Sequence, residues 1–266
     1  MALTQLFVHP LKSCRGNALQ RAEVTPQGLR DDRVWLASRA DGQFISARSH
    51  PRLVQVGVTQ QADGQWCFTA PGMPPLLTSP ADYRQRVPAT VWKSAFSALH
   101  GDAAADAWLS HYLGEPLRLL WLGESTRVQK TTADRLSFAD GYPYLLLSEA
   151  SLLDLNSRLA QPVTMRHFRP NLVVDDTFAF EEDEWRRFRI GAVEFEVVSR
   201  CTRCVLTTVD PDSAQPDPQR QPLATLLGYR RLAEGVCFGV NVIARNSGTL
   251  QLGDAVEVLD SALAFD

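Results

Sequence analysis

The sequence has no long apolar run. Its apolar stretches fall well short of the roughly 20 residues that a membrane-crossing helix needs. Its start, Met1-Ala2-Leu3-Thr4-Gln5, has neither the basic opening nor the apolar core of a secretory leader. Both absences point to a soluble chain with no membrane partner, and we read it as cytoplasmic. Charge of one sign is also missing: 27 Lys and Arg against 30 Asp and Glu leave a net charge of -3. That balance argues against stable nucleic acid binding, which draws on a basic surface. Cysteine is scarce and odd in number, with five at positions 14, 67, 201, 204 and 237. Without a secretory signal this count argues against a disulfide framework and for reduced thiols. A structural zinc site usually needs four ligands, often as two close pairs. Here only Cys201 and Cys204 form a pair, and no histidine stands near them in sequence.

What the sequence does contain is organised around residues 198–211, VSRCTRCVLTTVDP. The stretch leaves a strand-like run ending at Val198 and enters a turn at Asp210-Pro211. Two cysteines flank two polar residues, with Arg200 and Arg203 beside them. A guanidinium close to a thiol favours its thiolate, the form that attacks or binds metal. The spacing therefore places the chemistry on one of these two sulfurs. The stretch lacks the helix start that activates a thioredoxin-like dithiol, and Cys201 reads as a small buried packing thiol.

At 266 residues the chain suits one large domain or two small ones. Leu3 to Val8 reads as a strand stopped by Pro10. A hairpin is expected from Ala22-Glu23-Val24, through a turn at Pro26 and Gly28, to Arg33–Ala37. That pairing would bring Lys12, Ser13 and Arg33 to one end of neighbouring strands, a cluster suited to an anionic ligand. Short apolar runs broken by Asp63-Gly64, Pro71-Gly72 and Pro74-Pro75 predict a small all-β region from Phe44 to about Val91. Asp102 reads as the N-cap of a helix that Gly114 stops, and Leu117–Leu122 as a strand. A domain boundary falls near residue 120.

Beyond it, Tyr144–Leu147 reads as a buried strand, and Ser148 as the cap of a helix with a Leu152, Leu155, Leu159 stripe. Glu149 suits the helix dipole. In Phe168-Arg169-Pro170-Asn171, the proline fixes the backbone so that Arg169 and Asn171 face a shared site. Asp175 to Glu184 reads as a solvated acidic loop. Trp185 opens a strand pair running to Val198, and Pro222 opens a helix carrying Leu223, Leu226, Leu227 and Tyr229. Strands at Phe238–Ile243 and Val256–Leu259, joined through a turn at Asn246-Ser247-Gly248, close the chain.

Six segments in order, at Lys12-Ser13, Gly28–Leu36, Ser137–Leu155, Phe168–Val174, Cys201–Pro211 and Phe238–Asp254, resemble the MOSC proteins. The likeness is to the YcbX and amidoxime-reducing component type. It implies an α+β, mainly β architecture with a few peripheral helices. An N-terminal β-rich domain, residues 1–120, would pack on a MOSC β-barrel, residues 121–266. It also implies a molybdenum cofactor and the reduction of N-hydroxylated compounds, such as N-hydroxylated bases and amidoximes. By the same resemblance Cys204 is the protein ligand to molybdenum and a catalytic residue. Asp140 is the carboxylate near the metal that positions substrate or passes a proton. Lys12, Ser13, Arg33, Arg169, Asn171, Thr202, Arg203 and Asn241 are cofactor contacts. Chains of the YcbX type can continue into a ferredoxin-like domain. Nothing after Cys237 here could hold an iron–sulfur cluster, so the expected electron source is a separate flavin or iron–sulfur donor protein. A cofactor-binding or sulfur-carrier module that turns over no substrate is the alternative, and a zinc or dithiol site is a third.

Overall fold

The computed structural model describes residues 1–124, 127–129 and 133–262. Among these residues strands predominate, with three α-helices, at Ala103–Leu113, Glu149–Asn156 and Leu223–Tyr229. The architecture is the expected mainly-β one. A central sheet carries the second half of the chain. Strand Leu3–Val8 pairs antiparallel with Leu172–Val174, which runs parallel to Tyr144–Ser148. The sheet continues through Gly235–Ala244, Val193–Thr202, Trp185–Ile190 and Val256–Ser261. The expected barrel does not close as a continuous ladder among the described residues. The two sides of the sheet meet at the isolated bridge between Ala2 and Ala255 and at a few backbone hydrogen bonds beside it, such as Leu3 N to Asp254 O at 3.0 Å.

The apolar faces of these strands supply one core. Tyr144, Phe188, Phe195 and Val240 are buried there, with Phe188 stacked on Phe195 at 5.2 Å. Burying each large apolar side chain of this kind contributes about 1.5–3 kcal/mol. Gly239 has φ +75°, and Leu147 of the neighbouring strand stands where a Cβ would go, so only glycine fits this close approach. A second core gathers around Trp35, which is fully buried against Trp66, Phe68, Tyr83 and Trp121. It lies between strand Trp35–Ser38, its partner Arg118–Trp121 and the small sheet Gly57–Gln60, Trp66–Thr69 and Leu76–Thr78.

The caps form as their chemistry predicts. Asp102 accepts from the amides of Ala104 at 2.9 Å and Ala105 at 3.2 Å, and Gly114 ends the helix in a left-handed conformation. Ser148 accepts from the Ser151 amide at 3.1 Å. That helix ends at Asn156, so Leu159 lies past it. Glu149, besides facing the helix dipole, accepts from Thr4 Oγ1 at 2.6 Å and ties the helix to the first strand.

Two expectations are corrected. The hairpin closes early: Arg21–Thr25 pairs only with Gly28–Leu29 on that side, and Trp35–Ser38 pairs instead with Arg118–Trp121. Left-handed residues Asp31 (φ 69°) and Arg33 (φ 52°) break the ladder between them, and burial of Trp35 draws the next strand into the other core. The acidic 175–184 segment is not solvated throughout. Glu182 is fully buried and accepts from Ser148 Oγ at 2.9 Å and Ser151 Oγ at 2.8 Å. Those hydroxyls replace the water a carboxylate would lose.

Candidate functional site

Three backbone junctions assemble the site. After the first strand, residues 9–12 lie along residues 33–35, with Arg33 N donating to His9 O, Trp35 N to Pro10 O and Lys12 N to Trp35 O, each at 2.9 Å. This sets Lys12 and Ser13 beside Arg33. The turn before strand Leu172–Val174 is pinned by Arg169 N on Met165 O at 3.1 Å and Asn171 N on Leu145 O at 2.9 Å. Strand Val193–Thr202 delivers the cysteine stretch, and Arg203 N holds its end to Val236 O at 2.7 Å.

The three junctions surround one cavity of about 410 Å³. Lys12, Ser13, Arg33, Asp140, Arg169, Asn171, Thr202, Arg203, Cys204 and Asn241 all line it, as does Cys201. Three of them, Ser13 (φ 71°), Arg33 (φ 52°) and Arg169 (φ 60°), adopt left-handed conformations that non-glycine residues rarely take. Strain concentrated in one cavity is a mark of functional sites.

The polar atoms of the cavity are held from behind. Buried Asp32 accepts from His9 N at 2.7 Å and pairs with the Arg33 guanidinium. Arg33 also donates to Asn171 Oδ1 at 2.9 Å. Asn171 is fully buried; its Oδ1 accepts from Leu145 N as well, at 3.2 Å, and its Nδ2 donates to Phe7 O at 3.1 Å. Most of its hydrogen-bonding capacity is thus spent on positioning Arg33 and two backbone segments. Arg169 donates to Cys14 O, and burial draws its guanidinium down to about 10. Burial, with the charge of Arg169, drives His9 down to about 3, so this imidazole is neutral. Asn241 Nδ2 donates to Ser199 Oγ at 3.1 Å.

Lys12 is buried, and its ammonium donates to Phe138 O at 2.9 Å and to Asp140 Oδ1 at 2.6 Å. Burial pulls Lys12 down to about 8, against the opposing pull of Asp140. For Asp140 burial would raise the carboxyl, but the Lys12 charge and hydrogen bond, then the Trp92 indole, outweigh it and hold the group well below the usual carboxylate range. Arg127 braces the Asp140 loop by donating to Ser137 O at 3.2 Å and Ala139 O at 2.6 Å.

The two cysteines are treated differently. Cys201 is half-buried rather than packed away, and accepts from Arg203 Nη1 at 3.0 Å. The Cys204 thiol accepts from Arg48 Nε at 3.1 Å. Arg200, expected beside the thiols, points elsewhere. Its guanidinium lies 3.5 Å from Asp183, 3.5 Å from Glu184 and 3.6 Å from Glu234. Neighbouring strand side chains alternate sides, so Arg200 leaves the face of Cys201. No α-helix starts at the cysteine stretch among the described residues; a single 3-10 turn, Val205–Thr208, follows Cys204.

Sequence reasoning missed Arg48 and Trp92. The Arg48 guanidinium lies 4.2 Å over the Trp92 ring, and Trp92 Nε1 donates to Asp140 Oδ1 at 2.7 Å. One signal was there to find: Trp92-Lys93 occupies a two-residue turn between Gln85–Val91 and Ser94–His100, where Asn-Gly is the usual pair.

Among the described residues no three His, Cys, Asp or Glu side chains come together as a metal site. A zinc centre made by the protein alone does not fit these donors. A metal with one thiolate from Cys204 and its other ligands from an anionic organic group does fit. Basic side chains ring the cavity, and the buried Arg203 Nε has no hydrogen-bond partner among the described residues.

The model of the MOSC N-terminal beta barrel domain matches residues 1–116, and that of the MOSC domain matches residues 133–257. Mitochondrial amidoxime-reducing component 1 of Homo sapiens is 33% identical, with 97% of this chain and 82% of that protein covered. The Mus musculus protein of the same name is 35% identical at the same coverage. Mitochondrial amidoxime reducing component 2 of Bos taurus is 33% identical, over 96% of this chain and 82% of its own length. No helix among the described residues is long and apolar enough to cross a membrane.

Proposed function

Because the chain belongs to the MOSC family that includes the amidoxime-reducing components, we propose that it is a molybdenum-cofactor-dependent reductase of N-hydroxylated compounds. The observation that carries this is the meeting of Cys204 with Lys12, Arg33, Arg169 and Arg203 around one cavity. Cys204 supplies the thiolate for molybdenum, a soft ligand suited to this metal. Lys12, Ser13, Arg33, Arg169, Thr202 and Arg203 hold the anionic and polar edges of the pterin, since charge-assisted hydrogen bonds to such groups are the strong ones. Asn171 acts through Arg33, and Asn241 borders the cavity beside the Ser199 hydroxyl.

When bound, the cofactor supplies two-electron reduction; the protein binds, orients and excludes water. An amidoxime takes up two electrons and two protons, its N–O bond breaks, and an amidine and water leave. Asp140 lies where it can orient the N–OH group. Lys12, drawn down to about 8 by burial and hydrogen-bonded to Asp140, is one group in the cavity able to release a proton near neutrality. The electrons come from a separate donor protein of the flavin or iron–sulfur class.

The test is elemental analysis for molybdenum on freshly made protein, beside benzamidoxime reduction with a supplied electron donor. Wild-type protein is expected to carry the metal and reduce the substrate, and Cys204→Ala to lose both. Full activity in Cys204→Ala would overturn the assignment. Metal retained by the wild type without reduction of any N-hydroxylated compound would favour a cofactor-carrier role.

A further inference from the structure

The cavity wall contributed by Trp92 has two sides. Trp92 borders the cavity that holds Cys204, and it also borders an adjoining open groove with Gln43, Phe44, Thr90 and Lys93. It stands in a left-handed conformation, φ 55°, with 48% of its surface exposed. A bulky residue rarely takes that backbone, and Asn-Gly would fit the turn without strain. The ring is nevertheless fixed at three points. Its Nε1 donates to Asp140 at 2.7 Å, Arg48 lies 4.2 Å over it, and Phe44 meets it edge-on at 4.9 Å. Phe44 in turn lies under the Lys12 ammonium, 5.5 Å from its ring centre. The two rings thus stand where the charged chamber of Lys12 and Asp140 meets the groove outside it.

We propose that Phe44 and Trp92 form a substrate subsite for the planar aryl or heteroaryl part of an N-hydroxylated compound, whose N–OH end enters the charged chamber beside Asp140 toward Cys204. This rests on the reductase reading above. A pre-fixed aromatic wall favours flat ligands, because the ring is already ordered and little freedom is lost on binding. It also accounts for a strained, half-exposed tryptophan where a small turn residue would suffice. The hydrogen bond from Trp92 to Asp140 couples the position of the flat group to that of the carboxylate facing the N–OH.

The test compares benzamidoxime with acetamidoxime, which lacks the ring, in the cofactor-loaded protein. Trp92→Asn removes the ring yet tolerates the left-handed backbone. Phe44→Leu leaves the turn and Asp140 untouched, and Trp92→Phe keeps an aromatic ring without the N–H. The preference in kcat/KM for benzamidoxime over acetamidoxime is expected to fall about fivefold in Trp92→Asn and Phe44→Leu, through KM, and to be largely kept in Trp92→Phe. Benzamidine binding, measured by calorimetry, is expected to weaken by about the same factor in the first two variants. An unchanged aryl preference and unchanged benzamidine affinity in both would overturn the subsite. If neither amidoxime is reduced by the wild type, the reductase reading fails while the binding arm still decides. Benzamidine bound by wild type and weakened in Trp92→Asn and Phe44→Leu upholds the subsite, and no binding to wild type overturns it.

Discussion

The Lys12 ammonium lies 2.6 Å from the Asp140 carboxylate, joining the loop after the first strand to the loop before strand Tyr144–Ser148. The lysine side chain is buried, whereas 56% of the Asp140 side chain is accessible. Water reaching Asp140 screens the pair, so its role is positioning more than stability. At neutral pH the carboxylate is ionised, because its position below the usual range leaves almost none of it protonated. Asp140 therefore orients a substrate hydroxyl better than it donates to one.

Lys12 makes anion binding depend on pH. Its charge is present below about 8 and is lost as pH rises through that value. The charges facing it are Asp140, Arg127 and Arg33. Sulfate keeps its charge over this range, so its affinity is expected to drop between pH 7 and pH 9.5. Lys12→Arg, which stays charged, should flatten the profile. Calorimetric titration at several pH values checks this, and a flat wild-type profile would remove Lys12 from the anion contacts.

His9 and Asp32 make the fold acid-sensitive in the same direction. His9 is neutral in the folded protein and charged in the unfolded one below about 6.5, so stability falls as pH drops from 6.5 toward 3. Burial would raise Asp32, but the charge of Arg33 and the His9 contact hold it below its ordinary value. Its contribution is present above the unfolded value and lost as pH falls through the folded one. Asp32→Ala, which leaves Arg33 without its buried partner, is expected to cost about 3 kcal/mol at pH 7. His9→Gln should reduce the slope of stability between pH 6.5 and 4. Urea unfolding across this range measures both.

Glu182 works in the opposite sense. Burial raises its carboxyl, against the hydroxyl hydrogen bonds from Ser151 and Ser148. Its contribution is greatest below the unfolded value and diminishes as pH rises through the folded one. Glu182→Gln should remove that dependence, while Glu182→Ala should be worse by about 1–3 kcal/mol, because Ser148 and Ser151 lose their acceptor. Equal stability of the two variants would argue against this account.

Arg48 separates activity from stability. It touches the Cys204 thiol and the Trp92 ring while remaining on the surface. Arg48→Met is expected to lower kcat/KM for an amidoxime about tenfold, since a positioned charge beside the reacting centre is lost. The thermal midpoint should move by no more than about 2 °C, as surface substitutions usually shift stability by less than 0.5 kcal/mol. A large fall in midpoint with unchanged turnover would reverse this assignment.

By itself the sequence determined what local chemistry can fix. Asp102 and Ser148 announced helix starts because an oxygen in the side chain satisfies free amides at the first turn. The cysteine stretch stood out because guanidiniums beside a thiol favour its thiolate, and the Phe168–Asn171 turn because its proline fixes the backbone; their cofactor and metal roles came from the resemblance to the MOSC proteins. Only the tertiary structure decided what depends on distance across the chain. Arg48 and Trp92 stand far from Cys204 and Asp140 in sequence, and nothing around them says they will meet those residues. Arg200 looked equivalent to Arg203 until strand alternation sent it to the acidic side, toward Asp183. Glu182 looked solvated until Ser148 and Ser151 closed over it. In each case the deciding term was a contact between remote segments, which the order of residues along the chain does not encode locally.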